Sequence, residues 1–371
     1  MKILLVIDHL GLGGAQRQVV ELACGLVRRG HAVEIFNYFP RMDFFRARVL
    51  AQGITVHDCT KGRGFSLGVL RRLRALIRRG NFGVIVSYLN SPNIYTELAG
   101  VGRNGAKLVV SERCSRHDDR SMLGSLVRRL LHGISDHVVT NSETHAQWLD
   151  GRWWLRGRVS CIYNGLDPGS LLPGLPAPAR PQDLRLLAAG RVCPQKNPLR
   201  LVRALQLFHQ EHGYVPHVSW AGKTDSAHRA YHAEVNALLA NTPAVRERWQ
   251  WLGEQPNMPC LLSQHHALIH PSVYEGLPNS VCEALGAGMP VLVSDVCDHP
   301  LLVEDGARGF IFDPLQPGDI AAAIGKLARW TPAQWTAGAA NAAAYARENL
   351  SVEKMVSAYE QLALKLTSGA G

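Results

Sequence analysis

Residues 168–183 read "PGSLLPGLPAPARPQD". Five prolines and two glycines in this stretch can continue neither a helix nor a sheet ladder, since proline lacks a backbone N–H. The same alternation runs on either side of the break. Upstream, short β-branched runs ("KILLVID", "HAVEIF", "ITVHDC", "FGVIVSY", "KLVVSE", "DHVVTNS") alternate with amphipathic stretches at 15–29, 66–79, 92–102 and 121–132. Downstream, "LRLLAAG", "VPHVSWAG", "WQWLG", "HALIHPS" and "PVLVSD" alternate with helical stretches near 196–212, 226–240, 257–264 and 278–287. Strands separated by helices predict parallel sheets covered on both faces. The expected fold is therefore α/β, with two doubly wound domains at 1–167 and 183–350 joined by a linker at 168–182. Helix 351–371 is expected to pack back on the first domain. Ligands of such sheets sit at the carboxyl ends of the strands, so the two domains are expected to face each other across a cleft.

The 371-residue length suits two domains, and 46% hydrophobic with 19% charged residues describes a globular chain. No apolar run approaches the roughly 20 residues that span a bilayer, and Asp8 interrupts the first one before a secretory core could form. A cytoplasmic location is therefore expected. The eight cysteines form neither C-x-x-C pairs nor a dense disulfide pattern and read as reduced, mostly buried side chains. Residues 1–170 hold 24 Lys+Arg against 13 Asp+Glu, whereas 171–371 hold 16 against 17. The whole excess is thus N-terminal. Part of it clusters at helical spacing as Arg71, Arg72, Arg78 and Arg79, and as Arg128 and Arg129. These clusters suit an anionic membrane surface or an acceptor diphosphate, although a solvated helix face would look the same.

Three segments carry chemistry. Gly13 and Gly14 precede a helix after the first strand, where backbone N–H groups can approach a phosphate or a sugar. The second strand ends in Asn37 and Tyr38 instead of the acid that would hold a nicotinamide cofactor's ribose, so a redox cofactor is not expected. In "AAGRVCPQKN" a strand ends at Gly190, with Arg191 and Lys196 following at the sheet edge. Two cations and free amides there suit a diphosphate leaving group.

In "HPSVYEGLPNSVCEALGAG" two glutamates, Glu275 and Glu283, flank a helix start. Gly276, Leu277, Pro278, Asn279 and Ser280 form the turn between them, with Pro278 in the first helical turn. Each carboxylate can accept two hydrogen bonds from vicinal hydroxyls, so the pair can read the sugars at the two ends of a nucleotide sugar. Helix-dipole stabilisation would account for Glu275 but not for Glu283, which is flanked by Cys282 and Ala284.

Taken in order, Gly13 and Gly14, "NGLD" at 164–167, "GRVCPQKN" at 190–197 and the E-x7-E pair of Glu275 and Glu283 resemble the retaining glycosyltransferases of the GT-B architecture, family four. The resemblance covers essentially the full length and implies two Rossmann-like domains. It implies that Arg191 and Lys196 bind the donor diphosphate, Glu283 the ribose, and Glu275 the donor sugar near its anomeric carbon. Backbone groups near Gly253 and Glu254 would hold the base. It also implies transfer without a metal or other cofactor, and no D-x-D is present to carry a divalent ion. Retention through a short-lived oxocarbenium ion would need no carboxylate nucleophile, unlike in retaining glycosidases. Many relatives place a histidine where this chain has Glu112 and Arg113, with His117 nearby. These three are candidate contacts on the acceptor or donor-sugar side, and a strand-end ion pair is the alternative.

His265, His266 and His270 do not read as a metal site, because His266 and His270 fall in a predicted strand and lack helical spacing. The tryptophans of "WLDGRWWLRG" suit either a lipid interface or the core. The expected activity is transfer from a UDP- or GDP-sugar to a glycan or lipid-linked glycan acceptor, such as a lipopolysaccharide or exopolysaccharide precursor. It would take place at the inner face of the cytoplasmic membrane. A nucleotide-sugar epimerase is the alternative enzyme. Nucleic-acid binding is disfavoured, because the arginines lack interleaved aromatics.

Overall fold

Every residue of Val84–Tyr88 is buried, as a central strand of a doubly covered parallel sheet must be. The computed structural model describes residues 1–113 and 122–369. The chain divides into two units, Met1–Gly165 with Ser351–Gly371, and Leu166–Leu350.

In the first unit the strands are β1 (Lys2–Val6), β2 (Ala32–Asn37), β3 (Thr55–Asp58), β4 (Val84–Tyr88), β5 (Lys107–Glu112), β6 (His137–Thr140) and β7 (Val159–Cys161). Its helices are α1 (Gly14–Arg28), α2 (Arg46–Ala51), α3 (Leu67–Gly80), α4 (Asn90–Ala99), α5 (Met122–Leu131) and α6 (Glu143–Asp150). The second unit holds β8 (Arg185–Ala189), β9 (His217–Ala221), β10 (Trp249–Gly253), β11 (Ala267–His270), β12 (Val291–Ser294) and β13 (Gly309–Phe312). Its helices are α7 (Pro198–His212), α8 (Arg229–Ala240), α9 (Pro243–Arg246), α10 (Met258–Leu262), α11 (Asn279–Gly286), α12 (His299–Val303), α13 (Pro317–Ala328) and α14 (Pro332–Asn349). The last helix, α15 (Val352–Ser368), belongs to the first unit.

The sheets run β3-β2-β1-β4-β5-β6-β7 and β10-β9-β8-β11-β12-β13, both parallel. Each therefore reverses its winding once, between β1 and β4 and between β8 and β11. The crevice at the carboxyl ends of such a strand pair is where an open α/β sheet binds ligands. Along β1 the side chains alternate, with Ile3 and Leu5 in one core and Leu4 and Val6 in the other. Helix α15 closes the first of these cores with Val352, Met355, Val356 and Tyr359. Gly25 of α1 permits this approach, because a Cβ there would collide with Val356.

Two local readings change. The segment 304–314, whose "EDGARGFIFDP" is rich in turn residues and predicts a loop, contains β13, an edge strand paired with β12 from Val291↔Gly309 to Ser294↔Phe312. Its glycines hide the short "GFIF" run. Pro278 is the residue before α11 and not its first turn, with φ −74° and ψ 117° in the extended region.

Candidate functional site

The site of the second unit begins where three neighbouring strands end in glycine. Gly190 donates to the Ala221 carbonyl at 2.8 Å, and Gly222 to the Gly253 carbonyl at 2.7 Å. Gly190 and Gly222 have φ of 152° and 157°, and a Cβ on Gly222 would collide with the Gly190 carbonyl. The backbone can pass that closely only without side chains.

Beyond Gly190 the chain makes a 3-10 turn over Pro194–Lys196 and enters α7 through Asn197, which is left-handed at φ 61°. Asn197 is fully buried, and its Nδ2 donates to the carbonyls of Pro271 at 3.1 Å and Pro314 at 2.8 Å. Gln195 Nε2 donates to the Tyr274 carbonyl at 3.0 Å. The turn carrying Lys196 is thereby tied to the segment after β11, across the β8–β11 reversal.

That tie brings Lys196 Nζ into an ion pair with Glu275 Oε1. His270 Nε2 lies 3.0 Å from the same oxygen and 3.0 Å from Ser272 Oγ. Cys297 Sγ donates to the Glu275 carbonyl at 2.5 Å. Burial alone would raise the Glu275 pKa, but the Lys196 charge and the His270 hydrogen bond outweigh it and hold the carboxyl well below its ordinary range. Burial and Lys196 together lower the pKa of His270, keeping the imidazole neutral. Neutral His270 can donate from Nε2 to Glu275 and fix its orientation.

In front of this pair is a cavity of about 320 Å³, lined by Gly190, Arg191, Lys196, Gly222, Lys223, Glu254, Pro278, Asn279, Ser280 and Glu283 among others. Most of the expected donor residues meet here. Gly253 precedes Glu254 at the end of β10. Glu275 is off the lining and reaches the cavity through Lys196, and Gly276 and Leu277 continue from it to the lining residue Pro278. Asn279 and Ser280, the first residues of α11, line the cavity, and Val281 and Cys282 donate to the Pro278 carbonyl behind them. Arg191 is 3.6 Å from Asp225, and Lys223 is 3.5 Å from Glu254. Lys223 is a third lining cation that the sequence reading missed. Its signal was "AGK" at a strand end, the pattern that flagged Gly190 and Arg191. A larger cavity of about 460 Å³ at the other end of α11 has no ionisable lining residue.

In the first unit Gly13 and Gly14 open α1. Glu112 takes the strand-end ion-pair alternative, whereas Arg113 is only partly buried. Glu112 is fully buried, with Arg128 Nη2 and His132 Nε2 each at 3.2 Å and Arg129 Nε at 3.6 Å. A buried carboxylate needs such counter-charges. Arg113 donates to Asn164, to Ser111 Oγ at 2.7 Å and to Tyr359 of α15 at 3.0 Å, and it stacks 4.5 Å over Tyr88. His117 lies outside the described residues. Arg128 and Arg129 both pair with Glu112, while Leu126, Val127 and Leu130 are about half exposed. The demand of Glu112 for cations thus accounts for the placement of both arginines. Arg71, Arg72, Arg78 and Arg79 of α3 are exposed.

His265 Nδ1 meets the Leu261 carbonyl, His266 Nδ1 accepts from the Arg185 amide, and His270 serves Glu275, so the three imidazoles have separate partners.

Residues 183–329 match the model of the glycosyl transferases group 1, and residues 12–170 that of glycosyltransferase family 4. The chain is 25% identical to a D-inositol 3-phosphate glycosyltransferase of Actinosynnema mirum, over 94% of this chain and 92% of the relative. It is 26% identical to a UDP-Gal:alpha-D-GlcNAc-diphosphoundecaprenol alpha-1,3-galactosyltransferase of Escherichia coli, over 47% of this chain and 45% of that one. Its fold matches the Anabaena protein HepE, solved with UDP and glucose, at a TM-score of 0.81 and 20% identity over 99% of this chain and 100% of that one. A glycosyltransferase from Rickettsia africae matches at a TM-score of 0.82 and 17% identity, over 100% and 99% of the two chains.

Proposed function

The chain belongs to the glycosyl transferases of group 1, family four, and on that premise we propose that it moves a sugar, with retention, from a nucleotide diphosphate-sugar to a glycan acceptor. A UDP-sugar is favoured over a GDP-sugar. The acceptor is a lipid-linked glycan or a lipopolysaccharide- or exopolysaccharide-type precursor. The names of relatives support this choice, in particular the Escherichia coli enzyme named for UDP-Gal and a diphosphoundecaprenol-linked sugar.

The observation that carries the reading is the cavity at the β8–β11 reversal, with Arg191, Lys196 and Lys223 beside the first residues of α11. Negative charge grows on the diphosphate as its bond to the sugar breaks, and fixed cations and amides favour that state most. The sugar passes through an oxocarbenium ion, which the acceptor hydroxyl attacks on the face the diphosphate is leaving. A donor phosphate oxygen takes the hydroxyl's proton. Glu275, held ionised by Lys196 and His270, accepts hydrogen bonds from the donor sugar and is not a nucleophile. Glu283 accepts from the ribose. No metal or other cofactor takes part.

On the acceptor side, the exposed Arg71, Arg72, Arg78 and Arg79 of α3 contact the anionic inner face of the cytoplasmic membrane. Among the described residues no helix is long and apolar enough to cross a membrane, so the association is peripheral in this reading.

The test is a thermal-shift screen of UDP-, GDP- and ADP-sugars with and without EDTA, followed by NMR of the product's anomeric proton. A donor-specific shift, EDTA-insensitive turnover and a product with the donor's anomeric configuration are expected. An inverted product, or no response to any nucleotide sugar, rejects the proposal.

A further inference from the structure

A second polar cavity, of about 430 Å³, lies in the first unit beneath α3, over the ends of β2 and β3. It falls in the size range of small-molecule sites. Helix α3 packs through Val69, Leu73 and Ile77, and this leaves Phe36 and Val56 as the floor of a hollow walled by Ala75 and Leu76. Arg72 and Arg79, two helical turns apart, line it together with His57 and Asp58.

The charges of this cavity do not balance. Asp58 is held by both guanidinium nitrogens of Arg46, at 2.9 and 2.7 Å, and by Asn37 Nδ2 at 2.8 Å. His57 Nε2 lies 2.7 Å from Glu34, whose other oxygen is 2.8 Å from Lys2 Nζ. Each carboxylate there already has its own cation. Arg72 and Arg79 make no ion pair or side-chain hydrogen bond among the described residues, so two positive charges converge on the cavity uncompensated.

We infer that this cavity binds a phosphate or diphosphate group, with Arg72 and Arg79 as its counter-charges and Phe36, Val56 and Leu76 against the organic part of the ligand. Guanidinium groups match phosphate oxygens in paired hydrogen bonds, and two of them neutralise a dianion. The apolar floor distinguishes the ligand from a bare inorganic ion and points to a phosphate ester. Assigning the ester to the acceptor or to a membrane headgroup rests on the reading of this unit as the acceptor-carrying half. The binding itself does not rest on that reading.

The experiment compares Arg72→Gln/Arg79→Gln with Arg71→Gln/Arg78→Gln in the full chain. Both pairs remove two charges from α3, but only the first lines the cavity. Inorganic pyrophosphate is titrated calorimetrically with saturating UDP present, so that a nucleotide site in the second unit is blocked. Vesicles of phosphatidylcholine with and without phosphatidic acid form the second arm. The expected result is at least tenfold weaker binding in Arg72→Gln/Arg79→Gln and less than a twofold change in the other pair for pyrophosphate. A loss of phosphatidic acid vesicle binding clearly greater in Arg72→Gln/Arg79→Gln than in Arg71→Gln/Arg78→Gln, with no pyrophosphate binding, assigns the site to a lipid headgroup. Equal losses in both pairs reduce the helix to a diffusely charged face and overturn the inference, as does absence of binding to either probe. If UDP displaces no pyrophosphate, the donor reading of the second unit fails while the comparison of the two arginine pairs still stands.

Discussion

Lys196 and Glu275, 79 residues apart in the chain, form an ion pair at the carboxyl edge of the second sheet, and His270 Nε2 lies 3.0 Å from the same carboxylate oxygen. The pair joins the end of β8 to the end of β11, the two strands between which the winding reverses. It therefore has a structural role and a chemical one, and substitutions can separate them. Lys196→Ala leaves Glu275 buried beside a neutral imidazole and should cost about 3–5 kcal/mol of stability, along with at least a hundredfold in turnover. Lys196→Ala/Glu275→Gln removes the stranded charge, so its melting temperature should recover most of the loss while turnover does not. Recovery of both would mean that the pair only holds the fold together.

Glu283 is nearly buried and lines the cavity beside Asn279 and Ser280. Glu283→Gln keeps the volume and halves the acceptor capacity of the group. If Glu283 grips the ribose, the variant should raise the donor KM about tenfold or more and change kcat by less than threefold, because ribose contacts are the same in ground and transition states. Steady-state kinetics over a range of donor concentrations separate the two. A loss confined to kcat would place Glu283 at the reacting carbon.

The winding of both sheets was legible in the sequence because strands buried on two faces are written as β-branched runs, and "FGVIVSY" became β4 almost residue for residue. The sequence also carried most residues of the nucleotide-sized cavity, since glycine and a cation just past a strand can only lie at the sheet's carboxyl edge. What it could not carry was pairing between distant segments. Nothing near Glu112 announces that Arg128 and His132 will turn inward to neutralise it. His270 was weighed only as a metal ligand, because its partner Glu275 is set by the turn after β11 and not by spacing. Asn197 needed both the Pro271 and Pro314 carbonyls in view before its role could be seen.

The buried cluster of the first unit should give stability a dependence on alkaline pH. Burial works against charge on His132, but Glu112 and Glu97 outweigh it and raise the imidazole to about 9 from its ordinary 6.5. A raised histidine contributes stability fully below pH 6.5 and loses it as pH rises through about 9. Glu112, held well below its ordinary 4.5 by His132 and His145 despite burial, loses its contribution progressively as pH falls below that value and adds nothing to the alkaline slope. Urea midpoints measured from pH 6 to 10 should therefore fall on the alkaline side. His132→Gln should be less stable by about 3–5 kcal/mol and should flatten that slope. An unchanged slope in the variant would exclude His132 as the titrating group.

The close passage of the glycine-ended strands predicts that Gly222, which lines the cavity, and Gly253, just beside it, respond differently to alanine. Gly253 has φ 68°, and an added Cβ would meet nothing within 4 Å. Alanine there costs only the left-handed backbone penalty, about 1–2 kcal/mol. Gly222 combines φ 157° with a Cβ that would collide with the Gly190 carbonyl, so the strand ends must part. Gly190 cannot yield freely, because its carbonyl accepts from Trp220 Nε1 at 2.8 Å and its amide donates to Ala221. The Lys196 side chain packs close on Gly190, its Cδ 2.9 Å from where a Gly190 Cβ would be. Gly222→Ala should thus lose clearly more stability than Gly253→Ala and weaken donor binding besides, whereas Gly253→Ala keeps donor affinity within about threefold. Urea midpoints and a nucleotide-sugar titration on the two variants read both effects. Equal destabilisation in the pair would show that backbone conformation, and not contact between the strand ends, sets the cost.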